Sequence, residues 1–302
     1  MAERVSFYNQ ISKNKRKSII LITSVILIFV VFGYVIALAL GETYFMIVMI
    51  ISIIISVFYV WFGYYNSHKI AISSVGAKLA DPQKYRQLHN IVESMALASG
   101  LPKPKVYIMP GNQINAFASG RDPKNAVIAV TEGALEKLNK DELEGVIAHE
   151  MSHIANYDIR FMTLTAILIG MIAIFSEIFL RSLFFSSLSG EKNRDGRTQL
   201  ILIAIGIILA ILAPLVTWLV QMAISRKREY IADATAVKLT RRPTGLINAL
   251  KKIGHDSAHF KNHEVSKAIA PLFITNPFKT NLKNLTSTHP PLEDRIKVLE
   301  RM

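Results

Sequence analysis

"VIAHEMSHIANYD", residues 146–158, places two histidines four positions apart with a glutamate directly after the first. The stretch is either a helix that presents a metal-binding face or an ordinary amphipathic helix spelled with the same letters, and the rest of the chain must decide. In a helix, residues four apart stand one turn apart on one face, so His149 and His153 can aim both imidazoles at one ion. Glu150 can then reach a water at that ion and take its proton, as a general base in peptide hydrolysis does. Asn139 and Glu142 predict a capping box that opens this helix. Leu143, Val146 and Ile147 put apolar packing beside His149.

A catalytic zinc needs a third protein ligand and an open position. "SRKREYIADATAV", residues 225–237, offers Glu229, and on the same helical face stand Ala232, Asp233 and Ala236, small enough around the carboxylate for another helix to pack close. Asp233, one turn beyond Glu229, is placed to accept the second ring N–H of a ligating histidine and fix its tautomer. Alone, the stretch reads better as the solvated acidic edge of a basic helix. Its position favours the ligand. His153 precedes the apolar run 161–180 by 8 residues and Glu229 follows the run 200–222 by 7. Continuous helices therefore set both about 10–12 Å from the ends of those runs, and an antiparallel hairpin brings them to one height.

Apolar runs dominate the chain. Hydrophobic residues make up 51% of the 302 and the mean hydropathy is +0.33, too high for an ordinary soluble domain. Runs 19–40 and 44–62 are each long enough to cross a hydrocarbon core of roughly 30 Å and predict a transmembrane hairpin, with 19–40 too long for a cleaved signal segment. Runs 161–180 and 200–222 predict a second hairpin, although Glu177 and Pro214 lie inside them, so a buried or interfacial helical pair stays open as the alternative. The net charge of +13 is concentrated beside these runs, at Lys13, Lys15, Arg16 and Lys17 and at Arg226, Lys227 and Arg228. That placement points to anionic headgroups and an inside N-terminus, and away from nucleic acid. The absence of cysteine excludes disulfides and thiolate metal sites and fits a reducing, cytoplasm-facing globular part.

The expected organisation is an N-terminal tail and hairpin (1–64), a first cytoplasmic piece (65–160), a second membrane or membrane-associated hairpin (161–224) and a second cytoplasmic piece (225–302). In the first piece, Asp81 and Pro82 predict the start of a helix carrying Leu88, Ile91, Val92 and Met95 to a stop near Gly100. Strands are expected in "KVYIMP", "INAFASG" and "NAVIAVT". The alternating small residues of "INAFASG" suit an edge strand to which an extended peptide could add through main-chain hydrogen bonds. His255, His259 and His263 repeat every four residues, but among lysines they read as a solvated helix face.

"AHEMSH", "SRKREYIAD" and "STHPPLEDRI", in that order and interleaved with four apolar runs, resemble the HtpX family of bacterial membrane zinc metalloproteases, relatives of the CAAX prenyl proteases. The resemblance spans essentially the whole chain. It implies an α+β fold: a mainly helical integral membrane protein with four transmembrane helices and a gluzincin-like cytoplasmic metalloprotease domain. It implies one Zn2+ per chain held by His149, His153 and Glu229, with Glu150 as general base. His289 and Arg295 are implied near the active site, His289 helping to stabilise the oxyanion, and Asn115, Ala116 and Phe117 facing substrate. For the family it implies a multi-pass bacterial cell-membrane enzyme with its active site toward the cytoplasm. Its implied substrates are misfolded or damaged membrane proteins, in quality control and the stress response alongside a membrane-anchored ATP-dependent protease. Two other functions stay open: a processing protease with a few defined sites, and a scaffold with a vestigial metal site, against which the intact Glu150 argues.

Overall fold

The computed structural model of the chain describes residues 7–40, 42–165, 226–259, 273–274 and 290–302, with single positions 170, 177, 181 and 206. The first two helices, α1 (Phe7–Leu40) and α2 (Glu42–Ser74), pair antiparallel. Phe29 meets Tyr59 at 5.4 Å between ring centres and Tyr34 meets Phe45 at 5.8 Å. Between those contacts Gly33 lets the backbones close: a Cβ there would fall 2.0 Å from Ser52 Oγ. α2 is long and apolar enough to cross a membrane, with a mean hydropathy of 2.7 over its best 18-residue window and only 11% of that window buried. The apolar part of α1, Ser18–Tyr34, is shorter. Most of runs 161–180 and 200–222 lies outside the described residues; within the first, Glu177 pairs with Arg181 one turn on.

After α2 comes a four-stranded mixed sheet in the order β1-β2-β4-β3. β1 (Lys78–Leu79) runs antiparallel to β2 (Lys105–Met109), β2 is parallel to β4 (Val127–Thr131), and β3 (Ala116–Ser119) lies antiparallel to β4 on the other edge. The three expected strands thus form, one to three residues shorter than their sequence patterns. β1 has two residues and offers no alternation to recognise. α3 (Arg86–Ser99) starts later than Asp81–Pro82 predicts, because the Asp81 carboxylate accepts the amides of Gln83 and Lys84 and closes a turn first. It stops at Gly100 in the left-handed conformation, φ 68°.

α4 (Glu132–Lys137) leads into α5 (Lys140–Ala155), which opens on the expected capping box of Asn139 and Glu142. α5 is the central element: from Leu143 to Ile154 only Glu144 is not buried, and it is packed among β3, α3, α6 (Arg226–Thr240) and α7 (Thr244–His259). α5 and α7 touch through backbone at Gly145, whose Cβ would meet the Leu246 nitrogen at 2.6 Å. A short α8 (Leu292–Leu299) closes the core with Leu299 and the fully buried Arg295. The protein is mainly helical with a small mixed sheet.

Candidate metal centre

Helix periodicity sets His149 and His153 on one face of α5, and α6 lays Glu229 across that face. The His149 and His153 Nε2 atoms stand 3.3 Å apart, and they lie 3.6 and 3.7 Å from the two oxygens of Glu229. All three side chains are buried. A tetrahedral zinc with bonds of about 2.0–2.1 Å separates its ligand atoms by about 3.3 Å; the two Nε2 atoms stand at that separation, and the Glu229 carboxylate faces both from slightly farther. Among the described residues this is the one group of three that could hold a metal.

The outer side of each imidazole supplies the stronger argument. His149 Nδ1 lies 2.9 Å from Asp233 Oδ1, and His153 Nδ1 lies 3.1 Å from Asp158 Oδ2. With each Nδ1–H donated to an aspartate, both Nε2 atoms present lone pairs to one another and to a carboxylate, all of them buried. Such a convergence requires a cation. As the side chains stand, burial and Arg295 push His149 down, but hydrogen bonds to Asp233 and Glu229 outweigh them and carry it up to about 9. A metal ion answers the same demand for positive charge with better geometry.

Behind each aspartate stands a buried arginine. Arg295 donates twice to Asp233, Nε to Oδ2 at 2.9 Å and Nη2 to Oδ1 at 2.6 Å, and its Nη1 lies 3.4 Å from Glu229. Burial works against the Asp233 charge, but Arg295 and His149 hold its pKa below the ordinary carboxylate range. Arg228 Nε lies 3.8 Å from Asp158, with its guanidinium stacked 4.7 Å over the Phe161 ring. Two parallel relays result, Arg295–Asp233–His149 and Arg228–Asp158–His153.

Glu150 is buried beside the ligands. Burial pushes its carboxyl up, the two histidines pull it down, Glu229 adds to the rise, and the Ala118 amide of β3 donates to it. A carboxyl whose pKa is raised by burial is suited to gain and lose a proton.

Of the residues singled out in the sequence, His149, His153, Glu150, Glu229, Asp233 and Arg295 converge here. Ala116 and Phe117 lie on β3, the edge strand next to Glu150, and Asn115 immediately precedes it, but their side chains are buried. Asn115 Oδ1 accepts the amide of Ala116, and Phe117 packs on Phe273 at 5.1 Å between ring centres. Ile274 donates to the Ala116 carbonyl, so the outer edge of β3 at these residues is met by 273–274 of the same chain. A peptide reaching β3 would therefore use main-chain groups. His289 lies outside the described residues, as does His263 of the histidine repeat.

From the sequence Asp158, five residues after His153, reads equally well as a partner of that ligand and as a helix-surface aspartate; the structure makes it the partner, and sequence reasoning missed Arg228 behind it. Continuing α5 as a straight helix leaves Asp158 on the surface. Instead α5 ends at Ala155, Tyr157 takes a left-handed φ of 58°, and Asp158 swings back to start the helical segment 158–165. Five residues after a ligand, with a turn between, was the only available signal.

The sequence pattern of peptidase family M48 matches residues 82–302. A protease HtpX homolog of Thermoanaerobacter pseudethanolicus is 44% identical over 302 residues, 99% of each chain. One from Caldanaerobacter subterraneus subsp. tengcongensis is 51% identical over 82% of each, and one from Dictyoglomus turgidum 43% identical over 98% of this chain and 95% of its own. The crystal structure of S. mikatae Ste24p is similar with a TM-score of 0.51 at 18% identity, covering 90% of this chain and 61% of that one. That last likeness concerns the fold alone.

Proposed function

The chain belongs to peptidase family M48 and is a zinc metallopeptidase, the metal held by His149, His153 and Glu229; from that premise we propose that it is a membrane-bound endopeptidase of HtpX type that cleaves misfolded or damaged membrane proteins at the cytoplasmic face. The observation that carries the reading is the placement of Glu150, buried between two metal-binding histidines and the edge strand β3. When bound, zinc supplies Lewis acidity toward the scissile carbonyl and the attacking water. Glu150 takes the proton of that water and passes it to the leaving amine, for which a raised pKa is an advantage. Asp233 and Asp158 keep both imidazoles in the tautomer that presents Nε2. Arg295, committed to Asp233 and Glu229, positions the ligands, and oxyanion stabilisation falls to His289. The main chain of β3 receives the extended peptide once 273–274 gives way.

α2 is the membrane anchor, α1 crosses beside it, and runs 161–180 and 200–222 form the second hairpin. The ligands come from just before and just after that hairpin, so the site assembles close to the bilayer, where loops and juxtamembrane segments of damaged membrane proteins are within reach. Clearance of the resulting fragments fits a membrane-anchored ATP-dependent protease as a working partner.

The test compares metal content and cleavage of an unfolded model protein by the purified full chain, wild type beside Glu150→Gln and Glu229→Ala. Glu150→Gln keeps about one zinc and loses about 10²–10⁴-fold in rate; Glu229→Ala loses the metal. Retention of zinc and activity by Glu229→Ala would sink the ligand set. Equal cleavage of soluble and membrane-embedded unfolded substrates in proteoliposomes would remove the membrane-protein preference.

A further inference from the structure

Where α2 leaves its apolar run, two guanidinium groups stack on two consecutive tyrosines. Arg121, from the loop after β3, lies 4.4 Å over the Tyr65 ring, and Arg160, from the segment 158–165, lies 5.3 Å over the Tyr64 ring. The two rings meet edge-on at 5.5 Å, and Trp61 adjoins Tyr65 at 5.5 Å. With α2 crossing the bilayer, these aromatics stand at the level of the headgroups. Arg121 is answered by Asp122 at 3.2 Å. Arg160 has no acidic partner among the described residues, although it is half-buried and its Nε is shielded from solvent without a hydrogen bond. One turn beyond Tyr64 comes His68, within electrostatic reach of Lys69, Lys105 and Arg121. Lys69 and Lys105 also lack acidic partners among the described residues.

A half-buried guanidinium without a carboxylate keeps a desolvation penalty that a ring face offsets only in part. Its planar fork suits an anion with several oxygens, phosphate above all. At this depth the abundant phosphate belongs to lipid, and four cations facing one acid favour a headgroup that brings no cation of its own. We propose that Tyr64, Tyr65, Arg121 and Arg160 form a binding site for the phosphate of an anionic phospholipid, an inference that rests on the reading of α2 as a membrane span. The site borders the catalytic centre on both sides. Arg160 stands two residues after Asp158, which holds His153, and Arg121 two after Ser119, the end of the strand whose Ala118 amide holds Glu150. A lipid bound here ties to the membrane surface the two segments whose Asp158 and Ala118 hold the second histidine and the base.

The experiment reconstitutes the full chain in vesicles of phosphatidylcholine alone or mixed with phosphatidylglycerol and reads the melting midpoint. Wild type is expected to melt about 2–4 °C higher with phosphatidylglycerol. Arg160→Gln and Arg121→Gln shrink the increment, their double variant abolishes it, Arg160→Lys keeps part of it, and Lys297→Gln, on α8, keeps all of it. The increment is taken within each variant, so a weakened fold lowers both midpoints and leaves the difference readable. Inorganic phosphate added to the phosphatidylcholine vesicles gives no rise; an equal rise would assign the site to free phosphate and overturn the lipid. Equal wild-type midpoints in both vesicles, or an increment that survives the double variant, overturns the site. Release of the chain from both kinds of vesicle in alkaline wash would overturn the membrane reading instead.

Discussion

At the residue scale, the centre is governed by groups that never touch the metal. His153 owes its orientation to Asp158, and Asp158 is steadied by Arg228 on Phe161. Asp158→Asn keeps an acceptor for Nδ1–H but removes the charge that strengthens the imidazole, so zinc affinity should fall about 10–100-fold by chelator competition while one zinc still binds at saturation. Unchanged affinity would mean the contact is packing only. His149 adds a pH dependence whose sign follows from its partners. Raised from 6.5 to about 9, it carries a proton at neutral pH before metal arrives. Its stabilisation of the metal-free protein is full below the unfolded value near 6.5 and is lost as pH climbs toward 9. Zinc competes with that proton, so binding at pH 7.5 should release it, and affinity should rise by up to about tenfold per pH unit across that window and then level off. Calorimetry in buffers of differing ionisation enthalpy counts the proton; a count of zero refutes the assignment.

At the element scale, the site depends on how closely α5 can be approached. Gly145 faces the start of α7 with no room for a methyl group, since its Cβ would lie 2.6 Å from one backbone atom of Leu246 and 2.8 Å from another. Gly145→Ala must push the two helices apart and should destabilise by about 1–3 kcal/mol in thermal or denaturant melts. Gly100→Ala meets nothing within 4 Å and costs only its left-handed φ of 68°, about 1–2 kcal/mol. If zinc affinity falls with the first and holds with the second, the damage reached α5 and the ligands with it. The same close packing explains which elements were legible in advance. Capping at Asn139, the stop at Gly100 and the strand alternation are local, so the sequence displays them. The face of α6 carrying Glu229 and Asp233 was legible because helix period and distance from the apolar runs both act along the chain. Asp158 was legible only as one of two equal readings, because its role depends on a turn at Tyr157 that no pattern announces, and Arg228 was counted among membrane-flanking cations when it is in fact buried. The covered edge of β3 was hidden for a similar reason: residues 273–274 are far from it in sequence, and a single bridge leaves no periodicity.

At the scale of the whole molecule, the ligands enter from opposite ends of the segment 161–224, so the metal centre exists only when that segment returns the chain to the side it left. Two transmembrane crossings satisfy this, and so does an interfacial hairpin; the two differ in where the connection between the runs lies. The chain has no cysteine, which makes single substitutions clean reporters. With an impermeant maleimide on intact spheroplasts, Thr43→Cys, in the first turn of α2, should react from outside. Lys84→Cys and Lys251→Cys, on the two pieces that build the site, should react only after permeabilisation. Ser187→Cys, between the third and fourth apolar runs, decides the rest. Labelling from outside establishes a four-span protein whose zinc face is drawn together by two crossings, whereas labelling only after permeabilisation makes the second hairpin interfacial. In the second case α1 and α2 alone hold the enzyme in the bilayer, and the metal centre is drawn together by a pair of runs that never crosses it.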